Sequence, residues 1–99
     1  MNPRLFLDVD PHTLHLPWSR PTADLYKLQR QIARYGSSTA GMPVIEVSRG
    51  TDGELVINNG VTRATRVAKL LPGTSVRVEV IDTIPVPVGS FPKLGDSLP

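Results

Sequence analysis

The chain contains no cysteine, which excludes disulfide frameworks, thiolate metal sites and cysteine nucleophiles together. It also lacks any run of about eighteen apolar residues, so no membrane-spanning helix is expected. The opening stretch "MNPRLFLDVDPHTL" breaks its short apolar patch at Asp8 and Asp10, too early for a secretory leader. These absences predict a soluble, cytoplasmic protein with no membrane partner. Walker, Rossmann, zincin and nucleophile-elbow motifs are missing too. Asp8, Asp10, Glu46, Glu79 and Asp82 are dispersed, and nothing pairs two of them for acid/base or two-metal chemistry. His12 and His15, three apart on an extended segment, face opposite ways and do not converge, so no metal site is expected.

What is present is enough for one domain and too little for two: 99 residues, with ten prolines and eight glycines falling mostly near the ends and in turns. The formal net charge is +2 and arginines outnumber lysines. Planar guanidinium contacts to phosphate or carboxylate fit that balance better than bulk attraction does.

"LFLDV" (5–9) and "HTLHLPW" (12–18) each read as a short strand, the second with Leu14 and Leu16 on one face. "SRPTADLYKLQRQIARYG" then reads as a helix, with Thr22 able to cap, Asp24 in the first turn and Gly36 as the left-handed stop. At about 100° per residue its apolar stripe is Leu25, Leu28, Ile32 and Tyr35. Lys27, Arg30 and Arg34 form a basic ridge on the other face, either a solvated surface or a contact for an anionic partner. Trp18, the sole tryptophan, is expected to plug the space between helix and sheet rather than to serve as a base-stacking platform.

"MPVIEVS" reads as a strand buried on both faces, Asp52-Gly53 as a hairpin turn, and 54–57 as the returning strand. A second helix runs from about Val61 to Leu71, ended by Pro72-Gly73. Around its axis Ala64, Val67, Ala68 and Leu71 form the core arc, Thr62, Thr65, Arg66 and Lys69 the opposite one, and Arg63 the border. "SVRVEVID" alternates as a strand with Val76, Val78 and Val80 inward. The domain is thus expected over residues 1–82, followed at 83–99 by a proline-rich strap that lies on the body and ends in a loose tail. The expected fold is α+β, a small mixed or largely antiparallel sheet with two helices on one side. Its core is expected to hold Leu14, Leu16, Leu25, Leu28, Ile32, Val44, Ile45, Val47, Val56, Ile57, Val67, Leu71, Val76, Val78 and Val80.

The stretch "NNGVTRATRVAKLLPG" (58–73) carries the one candidate chemistry. Arginines in a first helical turn oppose the helix dipole unless something negative stands beside them. A glycine before the helix lets backbone approach a ligand, and the first unpaired N–H groups are ready anion donors. Gly60 and Arg63 are therefore candidates for binding a phosphate, assisted by Thr62 and Arg66. In the competing account Gly60 merely serves the turn, Asn58 or Asn59 caps the helix, and the arginines face water.

The order of these elements, with a strand ending in "VINNG" and a helix opening in "GVTRATRVAKLL", resembles the ParB/sulfiredoxin superfamily over roughly Leu14 to Asp82. The resemblance implies that Gly60 and Arg63 match the G-x-x-R positions that hold nucleotide phosphate. Gly-Val-Thr-Arg stands where segregation proteins carry Gly-Glu-Arg-Arg, so the CTP-hydrolysing signature is mostly missing. Without cysteine the sulfinic acid reductase chemistry is excluded, and no helix-turn-helix segment is read after the core. Three functions follow as expectations: a module binding a nucleotide or nucleic-acid backbone, with a nucleotide as the possible cofactor; a nuclease-like or phosphotransfer enzyme; or a protein-binding domain that has lost its ligand, whose basic ridge meets an acidic partner.

Overall fold

Alternating apolar residues build the first and last strands of a four-stranded sheet. In the computed structural model, which describes residues 3–99, β1 (Leu5–Val9) pairs antiparallel with β4 (Val76–Thr83), Leu7 opposite Val78 and Val9 opposite Val76. Residues 1 and 2, where the expected domain opens, lie outside the described residues. β2 (Ile45–Arg49) runs parallel to β4 and antiparallel to β3 (Leu55–Asn59), giving the order β1-β4-β2-β3. The sheet is therefore mixed, and with α1 (Leu25–Tyr35) and α2 (Val61–Leu70) the fold is α+β. No helix among the described residues is long and apolar enough to cross a membrane.

The β2–β3 connection turns at Asp52-Gly53, where Gly53 has φ 81° and donates to the Gly50 carbonyl at 3.0 Å. β2 is central, and Ile45 and Val47 are fully buried. Between them Glu46 keeps partial exposure, so burial on both faces holds only for the end at Ser48. Val76 and Val78 are buried, whereas Val80 and Val44 are only half-buried.

The helices form two successive layers. α2 packs on the sheet, and α1 packs chiefly on α2. Leu28 is the one fully buried side chain of α1. Leu25, expected in the core, is 59% exposed, and Ile32 is half-buried. An outer helix needs one narrow contact stripe, and Leu25 at its first position falls outside it. Asp24, rather than Thr22, is the cap, its Oδ1 accepting from Lys27 N at 3.0 Å.

Sandwiched between sheet and α1, α2 is buried nearly all round. Thr62, Thr65 and Arg66 are buried alongside Ala64, Val67 and Ala68. Apart from Lys69, the arc opposite the core is therefore buried as well. Thr65 tolerates burial because its hydroxyl donates to the Val61 carbonyl at 2.7 Å.

The segment 12–18 is not a regular strand. Pro11–Thr13 forms a 3-10 turn capped by Asp10, and only His15 bridges β3, beside Val56. His15 also bridges Lys93 of the C-terminal strap, flanked by Leu94 N donating to Leu14 O and Leu16 N to Pro92 O. The strap thus lies on the body, burying Val88 and Leu94, two core residues the sequence reading did not include. Trp18 is 64% exposed and packs on Phe91 of the strap with ring centroids 5.7 Å apart. It does not plug helix against sheet, because Leu14 and Leu16 already fill that space.

Candidate functional site

Gly60 opens α2 with φ 112°, a left-handed conformation that L side chains resist. No side chain caps the helix there. Asn58 and Asn59, possible caps by sequence, remain on β3, where Asn58 Nδ2 donates to Ser48 Oγ at 2.7 Å and Asn59 Nδ2 to Glu46 Oε1 at 3.4 Å. A Cβ on Gly60 would stand 3.0 Å from Arg63 Nη2 and 3.1 Å from Ile45 Cγ1. The backbone angle calls for glycine, and a side chain would in addition crowd the guanidinium folded back over it and Ile45.

The arginines of the first turns find their negative neighbours within the protein. Arg63 Nη2 donates to the Val44 carbonyl at 3.0 Å. Arg66, 2% exposed, donates through Nη1 to the carbonyls of Gly36 at 2.9 Å and Ser38 at 2.8 Å. Its Nη2 reaches Met42 Sδ at 3.5 Å, and its guanidinium carbon lies 5.4 Å from the Tyr35 ring centroid. Arg66 therefore sits at the C-terminal end of α1, where the carbonyl dipoles favour a cation. Neither arginine simply faces water, which corrects the bland account of them.

These bonds leave part of each guanidinium unused. Arg63 Nε and Arg66 Nε are buried without a partner, as is Gln31 Oε1. All three residues line a cavity of about 180 Å³ completed by Tyr35, Ser38 and Met42 among others. A second cavity of about 270 Å³ is bordered by Lys27, Arg30, Arg34 and Thr62, and shares Gln31 and Tyr35 with the first. The two adjoin as one groove between α1 and the start of α2. The basic ridge and three of the helix-start residues, Thr62, Arg63 and Arg66, are separate candidates in the sequence and line the same place, whereas Gly60 is buried and lines neither cavity.

The electrostatics of the groove are one-signed. Lys27, Arg30, Arg34, Arg63 and Arg66 border it, and no carboxylate does. Among the described residues the ion pairs lie elsewhere, Arg4 with Glu79 and Arg77 with Asp8, as do the contacts of His12 with Asp10 and His15 with Glu54. The resulting pKa displacements also lie outside the groove. Hydrogen bonding to Arg4 lowers Glu79, and the backbone N–H of His12 lowers Asp10.

Tyr35 and Gln31 were missed as site residues. Tyr35 belongs to the apolar stripe by its spacing, yet the residue is 46% exposed. Gln31 had a legible signal, standing four residues after Lys27 and three before Arg34 on one helical face. Thr62 borders the second cavity but is itself 9% exposed, so its hydroxyl has little open surface to offer. Among the described residues no group of three His, Cys, Asp or Glu side chains is placed to hold a metal ion.

No protein-family model matches the chain, and neither a curated protein nor a solved structure does.

Proposed function

We propose that the groove between α1 and α2 binds a phosphate-bearing ligand, a nucleotide or the backbone of a nucleic acid, on a ParB/sulfiredoxin-like domain. The observation that carries this reading is the set of five cations around two adjoining cavities, without a carboxylate to neutralise them. Desolvated donors are the second support. A buried N–H without an acceptor costs about 1–3 kcal/mol, and Arg63 and Arg66 each hold one beside the first cavity. An anion entering there supplies the acceptor and the counter-charge together. Its volume of about 180 Å³ is below the roughly 300–1,000 Å³ of pockets that enclose drug-sized ligands. It suits a phosphate group, with the rest of the ligand lying in the open groove.

Arg63 is the charge partner, and Gly60 serves the site indirectly by leaving room for the Arg63 guanidinium folded over it. Arg66 holds the loop after α1 in place while facing the same cavity. The lining contains neither carboxylate nor histidine to act as a general base, which favours binding over phosphoester chemistry.

Thermal unfolding with ATP, CTP, GTP or inorganic phosphate, for the wild type and Arg63→Ala, tests the reading. Ligand at a hundred times its dissociation constant stabilises by about 2.7 kcal/mol, several degrees for a domain of this size. The expected result is a shift in the wild type that the variant loses. Equal shifts in both proteins would place the ligand elsewhere. No shift with any ligand, combined with acidic-protein binding sensitive to Lys27, Arg30 and Arg34, would favour the partner-binding alternative.

A further inference from the structure

Resting on the phosphate site proposed above, we infer that the whole groove takes single-stranded nucleic acid, with Lys27, Arg30 and Arg34 on successive phosphates and Tyr26 and Tyr35 stacking bases. The cations are arranged in a line rather than a cluster. Lys27 and Arg34 are seven residue steps apart on α1, about 10 Å of helix axis at 1.5 Å per residue. Stacked strands place one phosphate about every 3.4 Å, so the row matches several phosphates in series and outruns a single phosphate group. The row then meets Arg63 and Arg66 through Gln31 and Tyr35, which line both cavities.

Aromatic rings flank that row: Tyr35 lines both cavities at one end, and Tyr26 stands next to Lys27 at the other, just outside the cavity lining. Tyr26 is 68% exposed and Tyr35 46% exposed, although both belong to a helix with a buried stripe available at Leu28. Each ring already has an arginine against it, Arg30 at 5.7 Å from the Tyr26 centroid and Arg34 at 5.4 Å from that of Tyr35. Rings and guanidinium planes interleaved in this way form the platform on which unpaired bases stack, tolerant of sequence because every base has a π-face. A duplex keeps its bases stacked on one another and leaves the tyrosines without a role.

Fluorescence anisotropy of the full chain with a labelled oligothymidylate of about twelve nucleotides, and with a duplex of the same length, tests the assignment. The strand is expected to bind more tightly than the duplex, with affinity falling linearly on a log–log plot against salt. Arg30→Ala is expected to reduce that slope by about 0.7, the loss of one single-strand phosphate contact. Tyr26→Ala is expected to weaken binding about fivefold or more with the slope unchanged, because stacking releases no counterions. Both side chains are exposed, and circular dichroism checks that each variant keeps its helix content. Duplex binding as tight as the strand's overturns the assignment, and so does an unaffected Tyr26→Ala variant. Equal competition by polyglutamate overturns it in favour of an acidic protein partner. An Arg63-dependent shift with inorganic phosphate but no strand binding overturns it while leaving the phosphate site standing. Silence in both experiments removes both.

Discussion

Arg63 occupies a first-turn position where the α2 dipole disfavours it, Arg66 is buried in the next turn, and the protein satisfies both with carbonyl oxygens from another part of the chain. The Gly36 and Ser38 carbonyls take Arg66 at the end of α1, and the Val44 carbonyl takes Arg63 just before β2. Both arginines therefore fasten the 36–44 loop to α2. Replacing Arg66 by methionine keeps much of the buried volume while removing the donors. It is expected to destabilise the domain by about 1–3 kcal/mol, measured by urea unfolding, and to raise amide exchange through 36–42. Unchanged exchange there would mean that the loop is held by something else. At Gly60, alanine would adopt φ 112° only with strain and would push on Arg63 Nη2 and Ile45. A loss of about 1–3 kcal/mol is expected, along with weaker phosphate binding, since the guanidinium must move. An alanine variant as stable as the wild type would show that the turn relaxes at no cost.

At the scale of elements, what was legible in the sequence depended on whether the signal was local. β4 announced itself because Val76, Val78 and Val80 alternate with Arg77 and Glu79. The hairpin announced itself in Asp52-Gly53, and α1 in its period and its Gly36 stop. The polar side of α2 was misread because burial of Thr62, Thr65 and Arg66 depends on where α1 lands, which no periodicity within α2 encodes. Val88 and Leu94 were missed for a related reason: single apolar residues among prolines have no period to detect. The candidate site was half legible. Gly60 and Arg63 stood out by type and position, but the meeting of Lys27, Arg30 and Arg34 with them is a product of helix packing.

The strap shows how one side chain can join two elements. Asp52 in the β2–β3 turn accepts from Gly89 N at 2.8 Å, Val88 N at 3.3 Å and Glu54 N at 3.2 Å. Desolvation raises its pKa, but these N–H donors together outweigh it and the carboxyl is held below its ordinary value. A depressed folded pKa contributes stability that is full above the unfolded value of about 3.9 and is lost as pH falls through the lower folded one. Acidification into that window is therefore expected to loosen the strap. Asp52→Ala is expected to show the loosening already at neutral pH, as faster exchange of the Val88 and Gly89 amides. An Asp52→Ala variant with the wild-type acid profile would assign the acid sensitivity to another carboxyl.

For the whole molecule the question is whether the strap is a late wrapping or part of the cooperative unit. Its attachment is both polar and apolar. His15 lies between β3 and the strap, with its Nδ1 donating to the Phe91 carbonyl at 2.9 Å, while Leu94 is 1% exposed within the main core cluster. Leu94→Ala is expected to cost about 2–5 kcal/mol, like truncation of any well-packed leucine, against a total stability of about 5–15 kcal/mol for a small domain. A strap that contributes that much cannot detach while the rest stays at full stability. Trp18 packs against Phe91 with the rings tilted, so its fluorescence reports the strap, whereas far-UV circular dichroism reports mainly α1 and α2. In urea the two signals are expected to fall along one curve with one midpoint, in the wild type and in Leu94→Ala alike. If the tryptophan signal changed at lower urea than the helices did, the strap would be a separate layer over an independently stable body, and residues 83–99 could then be removed without unfolding the groove.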